Sequence, residues 1–550
     1  GSDQETPGNY YERRINRTQM SQDLTFEYNQ DLTSDLGFNA VAGLNVNDRD
    51  TNSLRGSINS IDVPGFYNLA NSLSTAEASH THSHRRLVGA YAALDFDYKN
   101  FLYLGLSGRN DWSSTLPQEN NSFAYGGATL SFLLSDFLRQ QDVNTGVFNY
   151  TKLRAAYGST GSDAAPYVVY DRYVPGNASN PGFPDIDNLT FPLGGVNSYT
   201  TSNVLGNADI KPELTTEFEL GLENYMFDKR VGIEFSYYNR FTKGLIAGLP
   251  IDPSSGYTSV TANLGDVRNK GFEASLNLKP IKSDNFSWDI SLNYSENKNK
   301  VEKLDVGEVS LGGFGTGAIY AIEGMPLGQF KFPSVRKADI NGEEFTIVDG
   351  SGNPLPTTDQ VLLNKDINEK YRAGLTNTLR WKQLSLTGTL DYRHGGYIYS
   401  GTKDYMHWTG SSPESILNDR NAFLVPNSVK ELSDGTFVEN TTPVDPTALH
   451  TFYSGGGLNG EDYAIIDRSY LKLRNVTLAY NMPEEICTSL NVSDIKFSLT
   501  ASNFLLWTPG ENPYIDPETT TFGNDVSAKF GEFMANPSNQ SFVFSLNINF

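Results

Sequence analysis

The chain has 550 residues, a net charge of −22 and a mean hydropathy of −0.41. That acidic balance argues against nucleic acid as a partner, since such binding rests on cations that neutralise phosphates. No run of about 18 apolar residues occurs, so no transmembrane helix is available, and a single cysteine, Cys487, excludes a disulfide within the chain.

In chain order, alternating segments recur from end to end. "LVGAYAALDFDYK" places Val88, Ala90, Ala92, Leu94 and Phe96 on one face, and "FLYLGLSGRND" sets Leu102, Leu104 and Leu106 against Tyr103, Ser107 and Arg109. "VGIEFSYYNR" opposes Val231, Ile233, Phe235 and Tyr237 to Glu234, Ser236 and Tyr238, while "GFEASLNLKP" opposes Phe272, Ala274, Leu276 and Leu278 to Glu273, Ser275, Asn277 and Lys279. "LSLTGTLDYR" and "IKFSLTAS" repeat the pattern, and the C-terminal "SFVFSLNINF" puts Phe542, Phe544, Leu546, Ile548 and Phe550 on one parity. Successive side chains of a strand point to opposite faces, so each segment has one apolar and one polar side. Segments of about ten residues, apolar outside and polar inside, are the signature of an outer-membrane barrel.

The connections alternate in length. "DYKN", "FDKR", "IKSDN" and "WKQ" are short, whereas roughly 163–213, 305–368, 402–467 and 508–540 are long and rich in Gly, Pro, Asn and Asp. Short turns on the periplasmic side and long loops on the extracellular side fit a barrel, whereas a soluble sandwich has no reason to sort its loops by side. The fold class expected is therefore all-β, a transmembrane antiparallel barrel, with about fifteen strands in this sequence. The loop 305–368 is expected to make one outside excursion with a hairpin around "GQFKF".

No catalytic residue, cofactor site or metal site is expected. No Ser–His–Asp spacing, His-Glu-x-x-His or phosphate loop occurs, and "GGFGTG" from Gly312 lacks a strand-then-helix setting and reads as a flexible loop. His80, His82 and His84 share a strand face at a spacing that suits a metal, but beside Arg85 and Arg86 they read as a solvated rim. Trp112 and Trp507 fall at outer strand ends, where they either pack in an aromatic girdle or touch a ligand. Tyr405, His407 and Trp408 of "DYMHWTG" are candidates for stacking on cargo or gripping a partner. Asp391 and Arg393 have lumen parity, open to contact with a plug or to simple solvation.

Several stretches carry a resemblance. "NADIKPELTTEFELGLENYMFDKRVGIEFSYYNRFTKGLI", "NLGDVRNKGFEASLNLKPI" with the following "NKNKV", "YLKLRNVTLAYNMP" and "SLTASNFLLWTPGENPYIDPE" are similar, in family order, to the SusC/RagA family of TonB-dependent outer-membrane transporters; "SGRNDWSS" and "KLRAAYGSTG" fit as well. The resemblance implies a barrel of about 22 strands with an N-terminal plug and a TonB-contacting segment. It also implies a SusD-type surface lipoprotein as a lid, and import of glycans or peptides across the outer membrane. Residues 1–550 are accordingly expected to be the C-terminal portion of one barrel domain, with plug and first strands outside this sequence and TonB engaged through that part. Phe542–Phe550 is expected to pair with a strand that this sequence does not contain. The alternative is a barrel of the same kind used as a structural or assembly scaffold in a larger outer-membrane complex.

Overall fold

The computed structural model describes residues 8–175, 178–180, 186–189, 191, 194–314, 316–416, 418–449, 452–453, 461–521, 523 and 525–550. Among them, fifteen long strands follow one another in chain order along the main sheet. They are β1 (Tyr10–Thr33), β2 (Leu36–Ile58), β3 (Glu77–Tyr98), β4 (Leu102–Ser113), β5 (Ser122–Leu133), β6 (Phe148–Ser162), β7 (Glu213–Met226), β8 (Val231–Pro250) and β9 (Ser259–Lys282), followed by β10 (Phe286–Leu304), β11 (Tyr371–Trp381), β12 (Leu384–His394), β13 (Tyr470–Asn481), β14 (Asp494–Trp507) and β15 (Ser541–Asn549). A short strand, Val204–Leu205, joins β9 in parallel at Ser259–Val260. No helix is long and apolar enough to cross a membrane, a statement that does not bear on strands.

Each strand forms where the sequence alternates. In β12, Leu384, Leu386 and Leu390 keep one side and Ser385, Thr387 and Asp391 the other, and its register with β11 matches like with like: Leu386 faces Leu379, Leu390 faces Leu375, Thr387 faces Thr378. Cross-strand Thr–Thr hydrogen bonds run along the polar side, at 3.1 Å for Thr378–Thr387 and 2.9 Å for Thr477–Thr500. Against β12, one bulge at Arg474 separates Leu473 from Asn475 in β13. It moves the apolar set from the odd Leu471 and Leu473 to the even Val476, Leu478 and Tyr480, keeping one face apolar along the whole strand. In β15 Phe544 lies opposite Leu499, Leu546 opposite Phe497 and Ile548 opposite Ile495. The C-terminal stripe thus continues its neighbour's apolar face, and Phe542, Phe544, Leu546, Ile548 and Phe550 are all exposed.

By internal contacts the chain comprises two units, one formed by Gly1–Ser131, Ala156–Glu217 and Thr242–Gly265, the other by Phe132–Ala155, Phe218–Phe241 and Asp266–Phe550. In the first, β1 pairs with β2 and β2 with β3 over nearly their full lengths. A small core of Leu116, Ala164, Val169 and Ile210 lies beneath its loops. Above it, Asp163 accepts a forked pair of bonds from Arg85 at 2.6 and 2.8 Å, and further bonds from Ser113 and Thr115 at 2.5 and 3.0 Å. Burial opposes the charge on Asp163, yet these donors hold its carboxyl below the usual range.

In the second unit the long loops have a core of their own. Ile319, Phe330, Phe332, Ile367, Tyr399, Ala464, Ile465 and Phe530 pack together from five separated stretches of chain. The rings stack: Phe332 on Phe530 at 5.9 Å and 5°, Phe332 on Tyr399 at 5.5 Å, Tyr399 on Phe530 at 5.5 Å. The excursion 305–368 contributes a four-stranded sheet of Glu308–Phe314, Gly317–Ile322, Gln329–Phe332 and Val361–Asp366, so the hairpin expected around "GQFKF" lies in a larger sheet. "GGFGTG" is correspondingly the turn region of a β-hairpin rather than a loose loop, with Gly315 outside the described residues.

Such a core makes one prediction. Replacing Phe332 by Ala removes a fully buried ring and should destabilise the loop assembly by about 3–5 kcal/mol. Limited proteolysis should then cut within 305–368 and 508–530, while heat-modifiable migration on gels shows the membrane strands still folded.

Candidate functional site

The loop assembly presents a helix, Gly401–Trp408, and two buried side chains determine how it sits. Ser400 caps it by accepting from the Lys403 amide at 3.1 Å. Glu532, fully buried, accepts from the Ser400 hydroxyl at 2.6 Å and from the Thr402 amide and hydroxyl at 3.0 and 2.8 Å. A carboxylate at a helix N-terminus satisfies donors that lack an intrahelical partner. The adjacent strands Tyr397–Ser400 and Gly531–Glu532 run parallel and bring Glu532 there.

With the helix so fixed, Tyr405 and Trp408 occupy positions i and i+3 of one face. Their ring centroids lie 5.5 Å apart, and the two are 47% and 50% exposed. His407 points the other way and is only 2% exposed. Its Nδ1 meets the Lys403 carbonyl at 2.9 Å and its Nε2 the Glu414 carboxylate at 2.5 Å, with Tyr453, Tyr463 and Tyr514 around the ring. Expected beside Tyr405 and Trp408 as a surface contact, His407 instead holds the helix from below, because adjacent residues of a helix do not share a face.

A second feature pins the loop 508–530. Tyr470, Lys472 and Arg474 project from the polar side of β13, and Asp516 and Glu518 come down from the loop to meet them. Lys472 Nζ lies 2.6 Å from Asp516 and 2.5 Å from Glu518, and Arg474 reaches Glu518 at 2.5 Å and also Asp391. Arg372 forks onto Asp391 at 2.7 and 3.1 Å, and the Tyr470 hydroxyl donates to Glu518 at 2.8 Å. Arg468, almost fully buried, donates to the Pro517 carbonyl at 2.9 Å. Burial acts against Glu518, but the bonds from Arg474, Lys472 and Tyr470 prevail and hold its carboxyl far below the ordinary range. Arg372, Lys472 and Arg474 are thereby matched with Asp391, Asp516 and Glu518, while the buried Arg468 is held by a backbone carbonyl, in a partly solvated site.

The structure brings Asp391 into this clamp, and Arg393 beside it pairs with Glu369 at 3.3 Å. Trp112 and Trp507 stand elsewhere, each at the outer end of an apolar strand face: Trp112 beyond Leu102, Leu104 and Leu106, Trp507 beyond Leu505 and opposite Leu471. His80, His82 and His84 are engaged by Asn52, Asp50 and Asp48 of β2 at 2.9, 2.6 and 2.8 Å. Among the described residues no group of three or more His, Cys, Asp or Glu is arranged to hold a metal. Sequence reasoning missed the clamp residues Arg372, Lys472, Arg474, Tyr470 and Glu518. The signal lay in "YLKLRN" and "DPE", whose alternate charges have complementary signs.

Residues 1–503 match the family described as TonB dependent receptor-like, beta-barrel. TonB-dependent receptor P26 of Formosa agariphila is 26% identical over 99% of this chain and 54% of its own length. TonB-dependent receptor SusC of Bacteroides thetaiotaomicron is 25% identical over 72% of this chain and 38% of its own. Among solved structures, the RagAB peptide transporter superposes with a TM-score of 0.73 at 19% identity, covering 98% of this chain and 56% of that one, and shows the same fold. The chain thus spans about half the length of the curated relatives it matches.

The clamp carries a pH dependence whose sign is fixed. The Glu518 carboxyl is lowered on folding, so its contribution is fully present above its ordinary value of 4.5 and is lost as pH falls from there toward the lowered native value. Amide protection within 508–530, expressed relative to the intrinsic exchange rate at each pH, should fall on acidification below about pH 4.5. Glu518→Gln should show reduced protection already at pH 7, equivalent to a loss of about 1–3 kcal/mol where a partly buried charged network loses one hydrogen-bonding member, and should flatten the acid response.

Proposed function

The chain belongs to the TonB-dependent receptor-like β-barrel family and is an outer-membrane β-barrel protein, and from that premise we propose that it serves TonB-dependent import of large nutrients, glycans or peptides, together with a SusD-type surface lipoprotein. The observation that carries this reading is the packed loop assembly. Loops of roughly 30–65 residues are far longer than connections need to be, and such loops are usually functional. These are built around a core and present Tyr405 and Trp408 side by side, aromatic residues of the type enriched where proteins meet and where ligands stack. Motifs similar to those of SusC/RagA transporters supply the class of partner; TonB contact falls to a part of the transporter outside this sequence.

Within this reading the clamp is a positioning device. Asp391, Lys472 and Arg474 stand on the barrel strands and Asp516 and Glu518 on the outside loop, so the loop surface is held at a fixed height over the polar side of β11–β13. Trp112 and Trp507 serve the aromatic girdle at the headgroups, and the stripe Phe542–Phe550 faces lipid.

Gentle-detergent purification of the whole transporter from its own membrane, followed by mass spectrometry, tests the proposal. A lipoprotein should be recovered in near-equal amount. Tyr405→Ala with Trp408→Ala should weaken its retention by about 2 kcal/mol or more, the size of loss expected for central aromatic anchors. Stoichiometric recovery of several unrelated barrel or assembly proteins would point to a scaffold instead, and recovery of the barrel alone would count against both.

A further inference from the structure

In β10 the even-numbered side chains Phe286, Trp288, Ile290, Leu292 and Tyr294 form the apolar face, and in β9 the even-numbered Phe272, Ala274, Leu276 and Leu278 do the same. Rings from five successive strands run in contact across this face, those of Phe272, Tyr294, Tyr371 and Tyr392 standing about eight to ten residues from the short-turn ends of their strands. Phe235 contacts Phe272 at 6.1 Å, Phe272 stacks on Tyr294 at 5.4 Å, Tyr294 on Tyr371 at 5.5 Å, and Tyr371 meets Tyr392 at 5.8 Å. A belt of this kind marks the boundary between hydrocarbon and headgroups. The short turn between β9 and β10 at 283–285 lies at the opposite end, so this is the outer boundary.

Beyond the belt the same parity becomes basic. Arg268 and Lys270 continue the Phe272 side of β9, and Lys298 and Lys300 continue the Tyr294 side of β10; with Glu302, with Asn299 at the strand edge, and with Gly324 and Pro326 of the neighbouring loop they line a cleft of about 390 Å³. Side-chain contacts agree with that placement. The opposite parity, Asn269 with Asn297 and Asn299, is bonded across the polar side at 3.0 and 2.9 Å. Arg268 packs 4.6 Å from the Phe241 ring centroid and pairs with Glu302 at 2.8 Å. Lys300 also reaches Glu302, at 3.1 Å, and Lys298 leans on Glu296 at 2.9 Å. Lys270 is exposed and makes no ion pair among the described residues. Four cations therefore gather at the cleft against two carboxylates, Glu296 and Glu302, leaving a local excess of positive charge with Lys270 outside any ion pair among the described residues, in a chain whose net charge is −22. Such a concentration needs a cause, because like charges packed together repel.

We propose that this cluster binds the phosphate groups of an outer-leaflet glycolipid, holding its acyl chains against the apolar wall below the aromatic belt. The guanidinium supplies a fixed fork and the three ammonium groups mobile donors, a set suited to phosphate oxygens. Basic clefts at membrane boundaries recognise anionic headgroups on the same principle. The proposal rests on the outer-membrane placement and not on any cargo or lipoprotein.

The test uses the whole transporter extracted from its own membrane, with native mass spectrometry counting the glycolipid retained. The variant Lys270→Gln, Lys298→Gln, Lys300→Gln leaves Arg268 in its packing against Phe241. It should retain less phosphorylated glycolipid by about tenfold, with lipoprotein recovery and heat-modifiable migration unchanged, which separates this outcome from failure of the transport reading. Added back to delipidated parent, a bisphosphorylated glycolipid should bind and the same lipid after phosphatase treatment should not. Equal retention by the variant, or equal binding of the dephosphorylated lipid, would overturn the proposal. So would saturation by inorganic phosphate with no preference for lipid, which would make it a free-anion site, or loss of a co-purifying protein in the variant, which would make it a protein contact.

Discussion

Everything in this chain follows from strands that must satisfy two solvents at once. A backbone group left unpaired in hydrocarbon costs several kcal/mol, so every spanning segment has to be bonded to its neighbour along its length. Once that pairing is imposed, the period of two decides the rest: one parity meets lipid, the other meets water. The bulge in β13 shows how strictly the rule is kept. The apolar set changes from odd to even residues there, and the strand inserts one unpaired residue instead of letting Arg474 turn toward lipid or Val476 toward water.

The same constraint ends where the membrane ends. Beyond the aromatic belt the pattern no longer has to alternate, and two different solutions take over. On the outward face of β9 and β10 the chain gathers Arg268, Lys270, Lys298 and Lys300. Above the strands, loops that no membrane supports must bury apolar surface by themselves, and they do so around Phe332, Tyr399 and Phe530. Between those two zones stands the clamp of Lys472, Arg474, Asp391 and Glu518, which ties a loop to a strand by matched charge where neither lipid nor an apolar core reaches.

The sequence made the strands legible because their signal is local. "LSLTGTLDYR" maps onto β12 and "VGIEFSYYNR" begins β8, and the short turns fall between paired strands. The loop core was illegible for the opposite reason: Phe332, Tyr399, Ile465 and Phe530 are far apart in the chain and follow no period, so only the folded loops reveal that they meet. His407 was misplaced because a residue next to two exposed aromatics looks exposed too, until the helix that separates their directions is known. Asp391 and Arg393 could be assigned a face but not a partner, since Arg372, Arg474 and Glu369 reach them from other strands and loops. The "DPE" stretch was recognised by resemblance, while its role in holding a loop emerges only from its contacts with "YLKLRN".

The clamp and the buried Glu532 have a thermodynamic consequence for whatever meets the loops. Ordering a free surface loop at the moment of binding costs conformational entropy residue by residue, and that cost is subtracted from affinity. Here the ordering is completed when the chain folds, through contacts that no ligand has to make. The helix bearing Tyr405 and Trp408 therefore offers a preorganised surface, whose complex should gain in lifetime what a flexible loop would have lost in disorder.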